Sequence, residues 1–104
     1  MTAAPPELVE YYQAGKPLVC ELDASPYLCE FWPLDELATY NTDYEVPENA
    51  PDYFAFGTSG GGEMFCISPG GAIVCLAFVG MSPKEELFVA AKWTEFERML
   101  RNAL

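Results

Sequence analysis

Gly60-Gly61-Gly62, within FGTSGGGEMFCIS, is the stretch of this chain most suggestive of chemistry. A glycine-rich loop cradles phosphate when its backbone N–H groups open onto a helix N-terminus, usually with a lysine reaching the phosphates. This loop contains no lysine, strand-forming residues follow it, and Glu63 stands directly after the triplet, where it would repel an anion. The sequence therefore assigns the triplet to a tight connection between two strands, where glycine supplies positive φ.

The other reactive side chains are read mainly by elimination. The chain has no histidine, so a Ser-His-Asp or Cys-His device is excluded. Its 16 acids guarantee close neighbours by chance, and no pair stands out as an acid–base couple. The four cysteines are Cys20, Cys29, Cys66 and Cys75. Structural zinc ligands usually come about two to four residues apart, and these do not. No alternating Asp/Asn loop with a closing Glu offers a calcium site. The aromatics lack the basic groove that nucleobase stacking requires. The expectation is a non-enzymatic domain with no cofactor and no metal, its cysteines acting as small apolar core residues.

Charge is the strongest clue to a partner. Residues 1–63 hold twelve acids and one base, Lys16, whereas residues 64–104 hold four of each, so the net charge of −11 belongs to the first part. Such a surface repels nucleic acid and anionic lipid and attracts basic proteins, besides conferring solubility. The segment NTDYEVPENAPD concentrates Asp43, Glu45, Glu48 and Asp52 around Tyr44. Ionised carboxylates are expensive to bury unpaired, and Lys16 cannot pair them all. These five residues, with Glu63, are the expected partner-binding surface. MTAAPPELVEYY lacks a basic stretch followed by an apolar one, and the longest apolar run, Ala72 to Val79, is too short to span a bilayer. A cytoplasmic protein with reduced thiols is expected, without membrane contact; composition leaves its oligomeric state open.

The elements that must position these residues read as α+β. APPELVEYYQAG predicts a helix with Pro6 at its first position, an apolar face of Leu8, Tyr11 and Tyr12, and a stop at Gly15. PLVCEL and YLCEFW predict a hairpin turned by DASP. PLDELATY predicts a short helix presenting Leu34, Leu37 and Ala38, and NTDYEVPENAP an exposed loop. DYFAFG, EMFCIS and AIVCLAFV predict a three-stranded meander. A three-residue loop at Pro69-Gly70-Gly71 would set Cys66 opposite Val74, whereas a two-residue loop would set it opposite Cys75; the first keeps Pro69 out of the ladder and is preferred. A turn at Ser82-Pro83 and a short apolar piece, Leu87 to Ala90, follow. TEFERMLRNAL predicts a closing helix with a Thr94/Glu97 capping box, an apolar face of Phe96, Met99, Leu100 and Ala103, and Arg98 and Arg101 at its C-terminal end. The whole is one domain, residues 1–104, with a mainly antiparallel sheet of about five strands flanked by short helices.

From Phe31 to Leu104 the chain resembles the SUKH superfamily, which groups yeast cell-wall-assembly regulators, Syd-like proteins and many bacterial immunity proteins. FWPLDEL is similar to the superfamily's strand and short helix, FAFGTSGGGEMFCIS to its strand, glycine-rich turn and strand, and FVAAKWTEFERML to its closing element. PPELVEYYQAG looks like a shortened form of the early helix, with Ala14-Gly15 in place of Asn-Gly. The resemblance implies an α+β fold without catalytic residues, and a role in binding and neutralising a toxin. A nuclease toxin, basic because it holds a polyanion, would suit an acidic inhibitor. A housekeeping interaction adaptor and a small ligand-binding or enzymatic domain are the alternative readings.

Overall fold

The computed structural model describes residues 3–104. Helix α1 (Pro6–Gln13) has proline at its start, where the absent N–H needed no partner, and buries Leu8 and Tyr11. Strands β1 (Val19–Glu21) and β2 (Leu28–Phe31) form the expected antiparallel hairpin, with Cys20 opposite Cys29. The meander is β3 (Phe54–Thr58), β4 (Glu63–Ile67) and β5 (Ile73–Ala77). Its second turn is the three-residue one: the Gly71 N–H donates to the Ser68 carbonyl at 2.9 Å, Gly71 has φ +89°, and Cys66 faces Val74.

Among the described residues the sheet has seven strands instead of about five, in the order β6-β5-β4-β3-β2-β1-β7. The apolar piece Leu87–Ala90 is β6, paired with β5, and Arg101–Asn102 is β7, paired with β1. The last strand shortens the closing helix. Helix α4 spans Trp93–Met99, Leu100 is already extended, and the Ala103 N–H donates to the Val19 carbonyl at 3.0 Å. Pairing with an otherwise open strand outweighs the local preference for another helical turn. Arg101 consequently leaves the helix terminus and reaches Asp23 at 2.8 Å. The expected Thr94/Glu97 capping box does not form: the helix starts one residue before Thr94, and its N-cap makes no side-chain hydrogen bond. Lys92 precedes the helix, and the Glu95 carboxylate, not that of Glu97, accepts the Ala91 N–H at 3.1 Å. Glu97 instead pairs with Lys16 and accepts from the Trp93 indole at 3.1 Å.

The expected loop from Asn41 to Pro51 is largely helical. A 3-10 turn, Leu34–Glu36, leads into α2 (Leu37–Asp43), and α3 (Val46–Asn49) follows. Leu34 and Ala38 face outward; Leu37 and Asn41 are the buried positions of α2. Val46 and Ala50, one turn apart, bury their side chains completely and hold α3 to the core, while Pro47 occupies a first-turn position where its missing N–H is harmless.

The central strands are covered on both faces. On one, Phe31, Phe56 and Phe65 meet Tyr11 of α1 and Trp93 and Phe96 of α4, with ring centroids 4.7 Å apart for Tyr11–Phe31 and 5.6 Å for Phe65–Phe96. The other face carries α2 and α3. This double cover explains why Phe54 to Gly57 are all buried, without the alternation of a half-exposed strand.

Candidate functional site

Helix α2 is fixed to the sheet by one polar side chain. Asn41 is buried; its amide donates to the Leu37 and Ala55 carbonyls, both at 2.8 Å, and its oxygen accepts the Ala55 N–H at 2.9 Å. Ala55 lies where β3 bulges against β4 and where β2 has ended. The asparagine thus takes the place of a missing strand neighbour and satisfies backbone groups that would otherwise be buried unpaired.

This anchor aims the far end of α2 outward. Tyr40 and Tyr44, one helical turn apart, stack in a ledge with Trp32, which follows β2, and Phe78, which follows β5. Centroid separations are 4.5 Å for Trp32–Tyr40, 6.1 Å for Tyr40–Tyr44 and 4.8 Å for Tyr44–Phe78. Trp32 is buried beneath and Tyr44, 40% exposed, forms the outer rim. The Trp32 carbonyl accepts the Tyr12 hydroxyl and its N–H donates to Phe56, so the base of the ledge is rigid.

Two carboxylates flank Tyr44 in positions that local stability does not favour. Asp43 is the last residue of α2, where the helix dipole opposes a negative charge. Glu45 adopts the left-handed region, φ +57°, uncommon outside glycine, asparagine and aspartate. From Pro33 to Asp52 the chain holds six acids and no base, and all six acids are exposed. Among the described residues the ion pairs are Lys16–Glu97, Arg101–Asp23 and Arg101–Glu21, and none reaches this layer.

All six predicted binding residues lie at or near the surface, but they do not form one patch. Asp43, Tyr44 and Glu45 cluster at the end of β4 where Phe78 bonds to Gly62. Asp52 leads into β3 at the other end, beside Pro69 and Glu7 in a cleft of about 480 Å³. Glu63 sits on the sheet face opposite the ledge, sharing a cleft with Glu85 and Leu87. Glu48 is exposed on α3 between the two ends. Sequence reasoning missed Trp32, Tyr40 and Phe78. The spacing of Tyr40 and Tyr44 was the available signal, hidden because the helix was expected to end at Tyr40.

The glycine loop uses its own N–H groups. Gly60 donates to the Thr58 hydroxyl at 3.1 Å and Gly61 to the Ser59 hydroxyl at 3.2 Å, so these two amides are turned to the loop's own side chains. The four thiols are free and buried. Burial pushes Cys29 and Cys66 well above the ordinary thiol range and Cys75 up to about 12, so none is a thiolate nucleophile near neutral pH. Among the described residues no group of His, Cys, Asp and Glu could hold a metal ion, and no helix is long and apolar enough to cross a membrane.

The model of the SMI1 / KNR4 family (SUKH-1) matches residues 2–99, and the chain belongs to that family. The match begins at residue 2 and so extends over the segment before Phe31, where PPELVEYYQAG alone carried the resemblance. No curated protein matches the chain.

Proposed function

We propose that this SUKH-1 chain is an acidic protein-binding module whose α2–α3 layer docks a basic protein partner, and that the partner is a toxin which the module neutralises by direct binding. The observation that carries the reading is the aromatic ledge between Asp43 and Glu45. Interfaces are anchored by a few well-packed aromatic side chains within a polar rim, and Tyr44 over Tyr40 and Trp32 has that form. The surrounding carboxylates, free of internal cations, would speed encounter with a basic surface. A nuclease toxin has the required charge. The module blocks its partner by occupancy and performs no catalysis itself. Cytoplasmic residence belongs to the same reading, since an immunity protein must meet its toxin where the target is.

The test separates anchor from steering. Tyr44→Ala should raise koff of the captured partner in surface plasmon resonance, weakening binding about tenfold or more. Asp43→Lys, Glu45→Lys and Glu48→Lys together should lower kon and flatten its salt dependence. Kinetics equal to the unsubstituted protein for both variants would remove the α2–α3 layer as the interface. Co-expression that fails to relieve the partner's toxicity would leave a housekeeping adaptor as the function.

A further inference from the structure

A second surface is built on different residues. Strand β6 ends the sheet on one side, and among the described residues its backbone pairs with β5 alone. Open edges are ordinarily blunted by charge, proline or extreme shortness. The opposite edge follows that rule, since β7 is only Arg101–Asn102. Strand β6 carries a bulge at Val89, opposite the Ile73–Val74 step of β5, but has neither charge nor proline: its sequence is Leu87-Phe88-Val89-Ala90, with lysines only beyond its ends, and Leu87 and Phe88, before the bulge, are 54% and 67% exposed. Nearby Val79 is 92% exposed.

Two clefts run alongside this strand and meet at Cys75 and Leu87. One, about 330 Å³, has Glu63 and Glu85 on its walls with Val79 at its mouth; the other, about 250 Å³, lies between Pro26 and the Glu86–Val89 segment. Among the described residues no lysine or arginine lines either cleft. The carboxylates are positioned by neutral groups: Ser59 donates its hydroxyl to Glu63 at 2.9 Å, and Tyr53 donates to Glu86.

We propose that the β6 edge docks an extended segment of a protein partner as an eighth strand, one that alternates lysine or arginine with apolar residues. The occupant's form follows from the edge. Leu87 and Phe88 point to opposite faces of the sheet, so an added strand covers both with its own alternating side chains, whereas a helix laid on one face covers one. Its charge follows from Glu63, Glu85 and Glu86, which meet no cation in the groove. The inference does not rest on the α2–α3 layer, and the two surfaces fail separately.

The probe is a synthetic peptide of alternating lysine and valine, about eight residues long, the length of an ordinary strand. Titrated into the isotopically labelled protein, it should shift the amide signals of Leu87–Ala90 and of Glu63 and protect the β6 amides from hydrogen exchange. Affinity should fall with added salt, and Glu63→Gln with Glu85→Gln should weaken it about tenfold while leaving the spectrum of the free protein folded. The Asp43, Glu45 and Glu48 reversals should leave these shifts in place. The proposal is overturned if the peptide shifts no β6 amide, if it binds at α2 instead, or if the two glutamine changes have no effect. A dimer that Phe88→Lys dissociates, with no peptide binding, would assign the edge to a second copy and overturn it likewise.

Discussion

At the scale of single residues, the glycines divide in a way their spacing does not announce. The triplet draws the eye, yet only Gly60 has positive φ, at +83°. A side chain at Gly62 would meet nothing within 4 Å, and one at Gly61 would make ordinary contacts. The demanding glycine is Gly57, inside β3. A Cβ there would lie 2.6 Å from the Glu30 carbonyl oxygen of β2, a backbone atom that cannot swing aside. Gly57→Ala should therefore lower stability by about 1–3 kcal/mol, the range for forcing extra atoms into a packed region. Gly60→Ala should lower it by about 1 kcal/mol, and Gly62→Ala should be neutral or slightly stabilising through the unfolded chain. Urea unfolding of the three variants checks the order; equal effects would contradict this division. The turn was legible because Gly-Gly-Gly is itself a turn signal. The close approach at Gly57 was not, because it depends on a strand distant in sequence.

At the scale of elements, strands and turns were the legible part, and the α2–α3 region was not. Alternation, Pro-Gly-Gly and the prolines of α1 are local signals, so the hairpins and the register Cys66↔Val74 followed from them. Two prolines and several acids made residues 41–51 look like loop, but Pro47 sits where a helix tolerates it and Val46 and Ala50 supply the burial. The tertiary device that holds α2 is the pair of hydrogen bonds from Asn41 to Ala55, which a single sequence cannot reveal. Asn41→Ala would leave the Ala55 N–H and carbonyl without these partners at the bulge. At roughly 1–3 kcal/mol for each buried group left unsatisfied, the loss should be about 2–6 kcal/mol, and it should loosen the Tyr40–Tyr44 ledge as well. Denaturant unfolding measures the first effect and near-ultraviolet circular dichroism the second. A change below about 0.5 kcal/mol would mean that solvent or repacking replaces the asparagine. The short strands β6 and β7 escaped the sequence reading for a related reason: each is defined by its partner, and Arg101–Asn102 has no strand character of its own.

At the scale of the whole molecule, the charge asymmetry of the sequence becomes an asymmetry of layers. Residues 33–52, all acid and no base, form the α2–α3 cover, while Lys92 and Arg98 lie on or beside α4 across the sheet. The acidity of this layer was therefore legible early, but the layout of its acids was not, because the predicted residues are dispersed over both faces and both ends of the strands. The interior has its own electrostatic signature. Cys20, Cys29, Cys66 and Cys75, together with Tyr11 and Tyr12, are all held protonated above their ordinary values, with burial the first cause in each. In the unfolded chain the thiols ionise near 9, the unperturbed value, and the folded chain keeps its protons beyond that, to about 12 for Cys75. The native state thus binds more protons than the unfolded one across this window. Stability from these groups is fully present below pH 9 and is lost as pH rises through the window. A deeply buried thiol contributes a decline of up to about 1.4 kcal/mol per pH unit, so several together should unfold a domain of ordinary stability before the most perturbed of them ionises. The urea midpoint should fall steeply once pH passes about 9, and all four thiols should react with a thiol reagent on unfolding without prior reduction. A midpoint that stays level to about pH 11 would show that the thiols gain no protection from folding, and a native Cys20–Cys29 bond found by mass spectrometry would remove two of them from the balance.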